Sequence, residues 1–533
     1  MKKVLKTDTF SFGKLPLLII ALLLPFLLNA QKALNHPQKR EFRGVWIATV
    51  ANIDFPKSKT TDRIAIQEQF KNLLDKYEVL GFNAILFQVR PAADAFYPSK
   101  LAPWSAFLTG EQGRSPQDEF DPLKFMIEET HKRGMEFHAW LNPYRATMNL
   151  DSSQLSLQHV FFQHPDWMVE YGRRFYLNPA MPEVRTHLVN VVAEVVENYD
   201  VDGIHFDDYF YPYPQKGEVY PDSLDFRFYG AFYNDIGNWR RDNVNKLIES
   251  VSQRIKELKP HVKFGISPFG VWRNRANDPF GSDTRASVTC YDDLYADVIH
   301  WMRNGWVDYV APQIYWHIGY PPADYATLAD WWAIQAGNCN LYIGQAAYKV
   351  GDNPELPWLD GNEIPKQIFF NRSNTKILGS IYFSARSILK NPIGLKDSLE
   401  IYYSKPALLP ETNSLELRRQ APPNFRRIRR HAEDVRLKWK PAKNDAEHLP
   451  FYYVIYRFEG VVEEELDFDN PRNILKIMPF GSVDKKFIYI DDTAETGKIY
   501  TYAVVAVNRQ NTESNPSEKR RIVKKESGIK RIK

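Results

Sequence analysis

Val201-Asp202-Gly203-Ile204-His205-Phe206-Asp207-Asp208, continuing as Tyr209-Phe210-Tyr211-Pro212, decides how this chain is read. An apolar, β-rich run ends in two adjacent carboxylates and passes at once into aromatics and proline. That is the pattern of a buried strand surfacing into a cleft. Runs of the same kind recur on both sides of it, over 42–50, 82–90, 135–142, 262–269, 307–315, 340–347 and 377–384, which makes eight expected strands. Helical periodicity fills the gaps, over 62–80, 122–133, 183–198, 238–258, 292–303, 324–336 and 364–372. In the first of these Ile66, Phe70, Leu73, Leu74 and Tyr77 mark one apolar face, Asp62 suits an N-cap, and Gly81 and Gly134 fall just past two helix ends. Eight strands alternating with helices predict an α/β fold, a (β/α)8 TIM barrel over residues 38–403. A doubly wound open sheet is the alternative. The even spacing and the lack of a Gly-rich phosphate loop after the first strand count against it.

Two strand-to-helix connections are long and aromatic, 91–121 and 143–182, and 209–237 is rich in Tyr, Phe and Pro. In a barrel these loops build the active face, so a groove is expected there. Prolines at 406, 410, 422 and 423 mark a linker over 404–424. Residues 425–523 then carry short strand-like runs, at 434–440, 451–457, 486–490 and 499–508. From Glu518 onward eight Lys or Arg stand against two acidic residues, Glu518 included, and 524–533 reads as a solvated basic tail.

At the N-terminus Lys2, Lys3, Lys6 and Lys14 precede an apolar run, Leu15 to Leu28, with Ala30 after it. Residues 1–30 are therefore expected to be a secretory signal peptide; the run is shorter than the roughly 20 residues of a membrane span. No Cys follows it to carry a lipid anchor. The chain is expected to be exported, to the periplasm, cell surface or medium. Removing residues 1–30 takes away four Lys and one Asp, so the formal charge falls from +4 to +1, which argues against nucleic acid as a partner. Cys290 and Cys339 show no CxxC spacing and no His beside them; a disulfide and two free thiols are both open.

Strand alternation places Gly203, His205 and Asp207 on the lumen side, with Asp208 where strand gives way to loop. The same alternation collects Gln88, Arg90, His138, Trp140, Asn142, Ser267, Gln313, Tyr315, Gln345 and Ser384. Polar residues this dense in β-rich runs are costly to bury unless paired with one another or with a ligand. Tyr144, Arg145, Tyr209, Trp272 and Trp316 follow strand ends and complete the expected substrate contacts. Asp54 and Asp94 are the other acids beside the expected cleft. Each candidate has a structural counterpart: Asp207 as an acceptor for His138 or Arg90, the histidines as satisfied interior groups, the tryptophans as core.

Two carboxyls in an aromatic groove fit glycosidic cleavage, one as proton donor and the other as nucleophile or base. Asp207 is the expected ionised group if Arg90 lies near it. Because adjacent strand residues diverge, its partner is expected from another strand end, Asp54 or Asp94 ahead of Asp208. A separation of about 5 Å from Asp207 marks retention and one of about 6.5–9.5 Å inversion. A barrel that only grips sugar is the rival. Metal-dependent hydrolysis lacks its HxxE- or DxH-like spacing, so no metal or cofactor is expected.

EFRGVWIATVANIDFP (41–56), FNAILFQVRPAADAFYPS (82–99), AWLNPYR (139–145), DGIHFDDYFYP (202–212), WRRDNVN (239–245), GISPFGVWRN (265–274) and APQIYW (311–316) together resemble the glycosyl-hydrolase-10-like proteins. The resemblance implies an exported (β/α)8 glycoside hydrolase acting on cell-wall or other polysaccharide glycans, with the motif acids at Asp54, Asp94, Asp207 and Asp208. DGIHFDDY is also similar to the DGxDxDxE strand of family 18 chitinases, but His205 replaces one acid and Tyr209 stands where the catalytic Glu would be. The C-terminal region resembles a fibronectin type III module, with Trp439 as its core Trp and Tyr500 as its tyrosine corner. Such a module, or the basic tail, offers a route to cell-surface association; the oligomeric state is open.

Overall fold

The computed structural model of the chain describes residues 37–412, 420–431, 433–442, 449–460, 466–480 and 486–532. The apolar N-terminal run and residues 413–419 of the expected linker lie outside them. Eight parallel strands close into a barrel. They are β1 (Phe42–Ile47), β2 (Ala84–Arg90), β3 (Glu136–Leu141), β4 (Gly203–Phe206), β5 (Lys263–Ile266), β6 (Tyr309–Val310), β7 (Asn340–Gln345) and β8 (Ile377–Tyr382). The eight-strand expectation and the closed topology agree; the open sheet does not form. β6 is the shortest because Pro312 brings no N–H to the ladder, and Gln313 makes only isolated bridges to Phe269 and Gly344.

Helices follow the sequence signals, except that the one expected over 292–303 begins only at Val298. Arg63–Val79 starts at Asp62, whose side chain accepts from the Ile64 and Ala65 N–H groups. Its buried face is Ile66, Phe70, Leu74 and Tyr77. Within 143–182 the chain forms a hairpin that the aromatic composition hid, Met168–Tyr171 paired with Arg174–Leu177. Gly172 and Arg173 both adopt positive φ there, 54° and 62°, which is what a two-residue turn matching strand twist requires.

The C-terminal region folds as two antiparallel sheets. β9 (Asn424–His431), β10 (Asp434–Lys440) and β13 (Phe487–Asp491) form one, in the order β9-β10-β13. The other runs β12-β11-β14-β15-β16, where β11 is Tyr452–Glu459, β12 Ile474–Pro479, β14 Ile499–Val507, β15 Arg520–Lys525 and β16 Gly528–Ile532. Val435, Leu437 and Trp439 point inward against Tyr453, Phe487 and Val504. Of the expected basic tail, 524–525 and 528–532 lie in the β15–β16 hairpin, and Lys533 is not described.

The barrel has two separate cores. Between strands and helices lies the larger one. Inside the lumen Phe42, Trp46, Leu86, Trp140, Tyr309 and Tyr342 form a second, continuous with Tyr452, Val454, Tyr456, Val505 and Val507 of β11 and β14. The C-terminal module is therefore the floor of the barrel. At that floor the Glu136 carboxylate, 1 % exposed, pairs with the Lys263 ammonium, accepts from Asn511 Nδ2 at 3.0 Å and meets His138 Nε2 at 3.0 Å. Burial pushes Glu136 upward, but Lys263 and the His138 hydrogen bond outweigh it and hold the carboxyl below its usual range.

Removing that carboxylate leaves an ammonium buried without its partner. Glu136→Ala is expected to cost about 3–5 kcal/mol in denaturant unfolding. Because the folded-state pKa is depressed, the stability Glu136 confers is present above the ordinary carboxyl range and lost as pH falls through the depressed value. The variant loses this acid-side dependence; unchanged stability at neutral pH would refute the assignment.

Candidate active site

β4 ends at Phe206, and the next two residues stand at the C-terminal mouth of the barrel. A cavity of about 230 Å³ opens there, and Asp207 and Asp208 are the acidic residues in its wall. Trp46, Trp140, Tyr209, Tyr315, Tyr348 and Phe383 supply aromatic walls; Gln88, Arg145, Ser267 and Gln313 supply polar ones.

Asp207 is held by neutral donors. Its Oδ2 accepts from Asn142 Nδ2 at 3.0 Å, and its Oδ1 accepts from Gln313 Nε2 at 3.1 Å and from the Asp208 N–H at 2.9 Å. The Asn142 amide is oriented in turn. Gln88 Nε2 donates to its Oδ1 at 2.5 Å and Arg145 Nη2 at 2.9 Å, so its NH₂ faces Asp207. Gln88 is locked by the Thr49 and Val50 N–H groups on its Oε1, at 3.0 and 2.8 Å.

Asp208 differs in environment from its neighbour. Burial pushes its carboxyl well above the usual carboxylate range, and the adjacent Asp207 charge and hydrogen bond add to the rise. The Tyr213 hydroxyl, donating to Oδ2, opposes it. Burial and the neighbouring charge thus favour the protonated form of Asp208, while Asp207 accepts three hydrogen bonds, a difference in environment of the kind that acid–base chemistry uses.

Beneath the cavity the lumen histidines form a directed chain. The Trp46 indole N–H can only donate, and it meets His205 Nε2 at 3.2 Å. His205 therefore carries its hydrogen on Nδ1 and donates to Tyr309 Oη at 3.0 Å; Tyr309 donates to His138 Nδ1 at 2.8 Å, and His138 Nε2 donates to Glu136. Burial keeps His205 neutral, far below the ordinary His range. His138 and His205 are interior groups, one layer below the cavity.

Several expected residues sit elsewhere. Asp54 turns away: its carboxylate accepts from the Ala48 and Arg386 N–H groups at 2.8 and 2.6 Å and from Ser384 Oγ at 2.8 Å, and burial pushes it up to about 6. Asp94 caps its own loop through the Ala92 N–H at 3.1 Å and is 2 % exposed. Arg90 is displaced by a bulge: β2 pairs Gln88 with Trp140 and Arg90 with Leu141, so the intervening Val89 shifts Arg90 to the outer layer. There its Nη1 donates to the Asn142 and Pro143 carbonyls rather than to Asp207. Arg145 is the cation beside Asp207, with its guanidinium 5.4 Å from the Tyr209 ring centre.

Gln345 faces outward to Tyr325 Oη and Gln367 Oε1, both at 3.2 Å, because Gly344 takes the lumen phase of β7 against Trp46. Tyr144 and Trp272 belong to the outer core, and Trp272 stacks on Trp331 at 5.9 Å. Trp316 packs edge-on to Phe269. Cys290 and Cys339 are free thiols. Trp46, Tyr213, Tyr348 and Phe383 were not anticipated; of these only Trp46, on the lumen phase of its strand, had a readable signal. Among the described residues no group of His, Cys, Asp and Glu is arranged to hold a metal, and no helix is long and apolar enough to cross a membrane.

Glycosyl hydrolase YngK of Bacillus subtilis is 45% identical over 502 residues, 93% of this chain and 95% of that protein. Glycosyl hydrolase DigH of Escherichia coli K12 is 43% identical over 374 residues, covering 66% of this chain and 84% of its own length. Among solved structures, the PgaB glycoside hydrolase domain of Bordetella bronchiseptica aligns with 72% of this chain and 100% of its own at 14% identity, with a TM-score of 0.43, too loose a likeness to bear on the site. Residues 41–360, from the first barrel strand past the cavity-lining Tyr348, match the Glycosyl hydrolase-like 10 family, and the chain belongs to it.

Proposed function

We propose that this protein is an exported glycoside hydrolase that cleaves O-glycosidic bonds in a bacterial cell-wall glycan or another polysaccharide. The observation that carries the proposal is the Asp207–Asp208 pair in an aromatic-walled cavity at the C-terminal end of the barrel, where this fold places its chemistry. Asp208 is the proton donor to the leaving glycosidic oxygen. Asp207 acts on the reacting ring, and Trp140, Tyr209 and Tyr315 offer faces for sugars. The names of the Bacillus and Escherichia relatives support a glycan-acting hydrolase. Export rests on the N-terminal Lys-rich and apolar segment. The C-terminal module is of fibronectin type III kind in this proposal: Trp439 lies in its core, and the Tyr500 hydroxyl accepts from the Glu495 N–H at 3.0 Å, as a tyrosine corner would.

Purified cell-wall glycan strands and a polysaccharide panel, with mass analysis of products, test the activity. Asp207→Asn and Asp208→Asn are each expected to lower turnover by about 10²–10⁴-fold while glycan binding persists. Binding without cleavage in the wild type would favour a sugar-gripping barrel, and full activity in both variants would remove the site. The basic limb of kcat/KM should lie above ordinary carboxyl titration. Tyr213→Phe should move it to still higher pH, because the lost hydroxyl stabilises ionised Asp208; a downward shift would refute the assignment of the donor. N-terminal sequencing of protein recovered outside the cytoplasm should start after Ala30, and an intact Met1 would end the signal-peptide proposal.

A further inference from the structure

Outside residues 1–30 the chain is nearly neutral only on average. Residues 421–533 hold 23 Lys or Arg against 17 Asp or Glu, a net of +6, which leaves 42 against 47, a net of −5, for residues 31–420. Much of the basic surplus lies on one face of the C-terminal module. In β9 and β10, Phe425, Ile428, Val435, Leu437 and Trp439 turn into the sandwich, and a bulge after Phe425 keeps Ile428 in phase with Leu437. Alternation therefore puts Arg427 and Arg429 of β9 and Arg436 and Lys438 of β10 on the opposite face. Register sets them directly across from one another, Arg427 against Lys438 and Arg429 against Arg436. Lys440 continues the β10 row, and Lys486 precedes Phe487, the partner of Trp439 on β13. Six cations gather there.

Like charges directly opposite each other in an antiparallel pair repel and weaken the sheet. A face that served solubility alone would intersperse both signs. Among the described residues no acid lies within ion-pair reach of these six, whereas Arg430 and Arg457 of the same module pair with Glu433 and Asp491. Partial desolvation and the charges of Lys486, Arg436, Arg427 and Lys440 hold the Lys438 ammonium below its usual range. The barrel does not neutralise the face either. Its floor packs on the other sheet, where Val454 and Val505 join the lumen core while Tyr453 and Val504 turn toward β9, β10 and β13. The basic face is thus the outermost layer, pointing away from the barrel.

We propose that this face binds a linear anionic polysaccharide, with the repeating carboxylate or phosphate groups of the chain lying along the β9 and β10 rows. Repeating anions suit cations set about 7 Å apart along each strand and about 5 Å apart across the pair. Other polyanions find less there. Among the described residues of the face no aromatic ring points outward for a nucleobase to stack on, since Tyr489 lies opposite the inward Leu437. Its apolar part is Ile488 and Ile490 of β13, the second 38 % exposed, with no Trp, Phe or Leu to enter a bilayer. Bound this way, the protein is held on a charged glycan surface by the end opposite its cavity, whichever bond that cavity acts on.

The test uses the full chain and the double reversal Arg427→Glu with Arg429→Glu, which turns both like-charged pairs into opposite ones. Its unfolding midpoint is therefore expected to hold or rise. Binding is measured to polygalacturonate, which carries carboxylates, and to phosphomannan, which carries phosphodiesters, with dextran as the neutral control. Wild type should bind one or both anionic chains and not dextran, and ever more weakly as salt is raised. The double variant should bind at least about tenfold more weakly and with a shallower salt dependence. The tighter of the two chains tells which anion the face prefers. No binding to either chain, or equal affinity in wild type and variant, overturns the proposal. So does tighter binding to duplex DNA or to phosphatidylglycerol vesicles than to both polysaccharides. If the β9 variant is destabilised, Arg436→Glu with Lys438→Glu makes the same reversal from β10 and is read in the same way.

Discussion

The buried Glu136 carboxylate is the constraint on which the barrel axis depends. A lumen this narrow cannot hydrate a charge, so Lys263, His138 and Asn511 must converge on it. Once they do, a hydrogen-bond direction is imposed upward through Tyr309 and His205 to Trp46, whose ring walls the cavity. Space for this chain is made by omitted side chains. A Cβ on Gly265 would stand 1.9 Å from the Tyr309 ring, and one on Gly203 would stand 2.6 Å from His138 Nδ1. The strand glycines next to the site are there for the rings beside them.

The C-terminal module takes part in the same arrangement. Its Asn511 reaches Glu136, Arg509 bonds Asp202 Oδ1 at 3.0 Å, and β11 and β14 supply apolar side chains to the lumen core. Asp202 also accepts from the Phe137 N–H and pairs with His131 at 2.7 Å, so one carboxylate beside the root of β4 ties strand, helix and module together. Loss of the module would uncover an apolar and ionic floor that the barrel cannot close alone.

Much of this was legible in the sequence, for reasons that also explain the rest. Eight β-rich runs separated by helical periods give closure, and Asp62 capping its helix needed only local chemistry. Asp207 was placed correctly on the lumen side because Gly203 and His205 keep strict alternation with Ile204 and Phe206. Arg90 and Gln345 were misplaced where alternation alone does not suffice: a bulge at Val89 reverses one, and a side-chain-free Gly344 conceals the lumen phase of the other. Asp208 shares the cavity wall with Asp207 because the strand ends at Phe206, and beyond it adjacent side chains need not diverge. Tyr213 was one aromatic among many in its loop; only folding brings its hydroxyl to Asp208.

Drawing both acids from consecutive residues has a mechanical consequence. In a site assembled from two strands, the spacing of the acids changes whenever the barrel breathes or a distant helix shifts. Here the two Cα positions are fixed by one peptide unit, and the side-chain torsions are held by Asn142, Gln313 and Tyr213. Loops other than the one that carries Tyr213 are free to be lengthened, shortened or repacked without retuning the distance between the two groups.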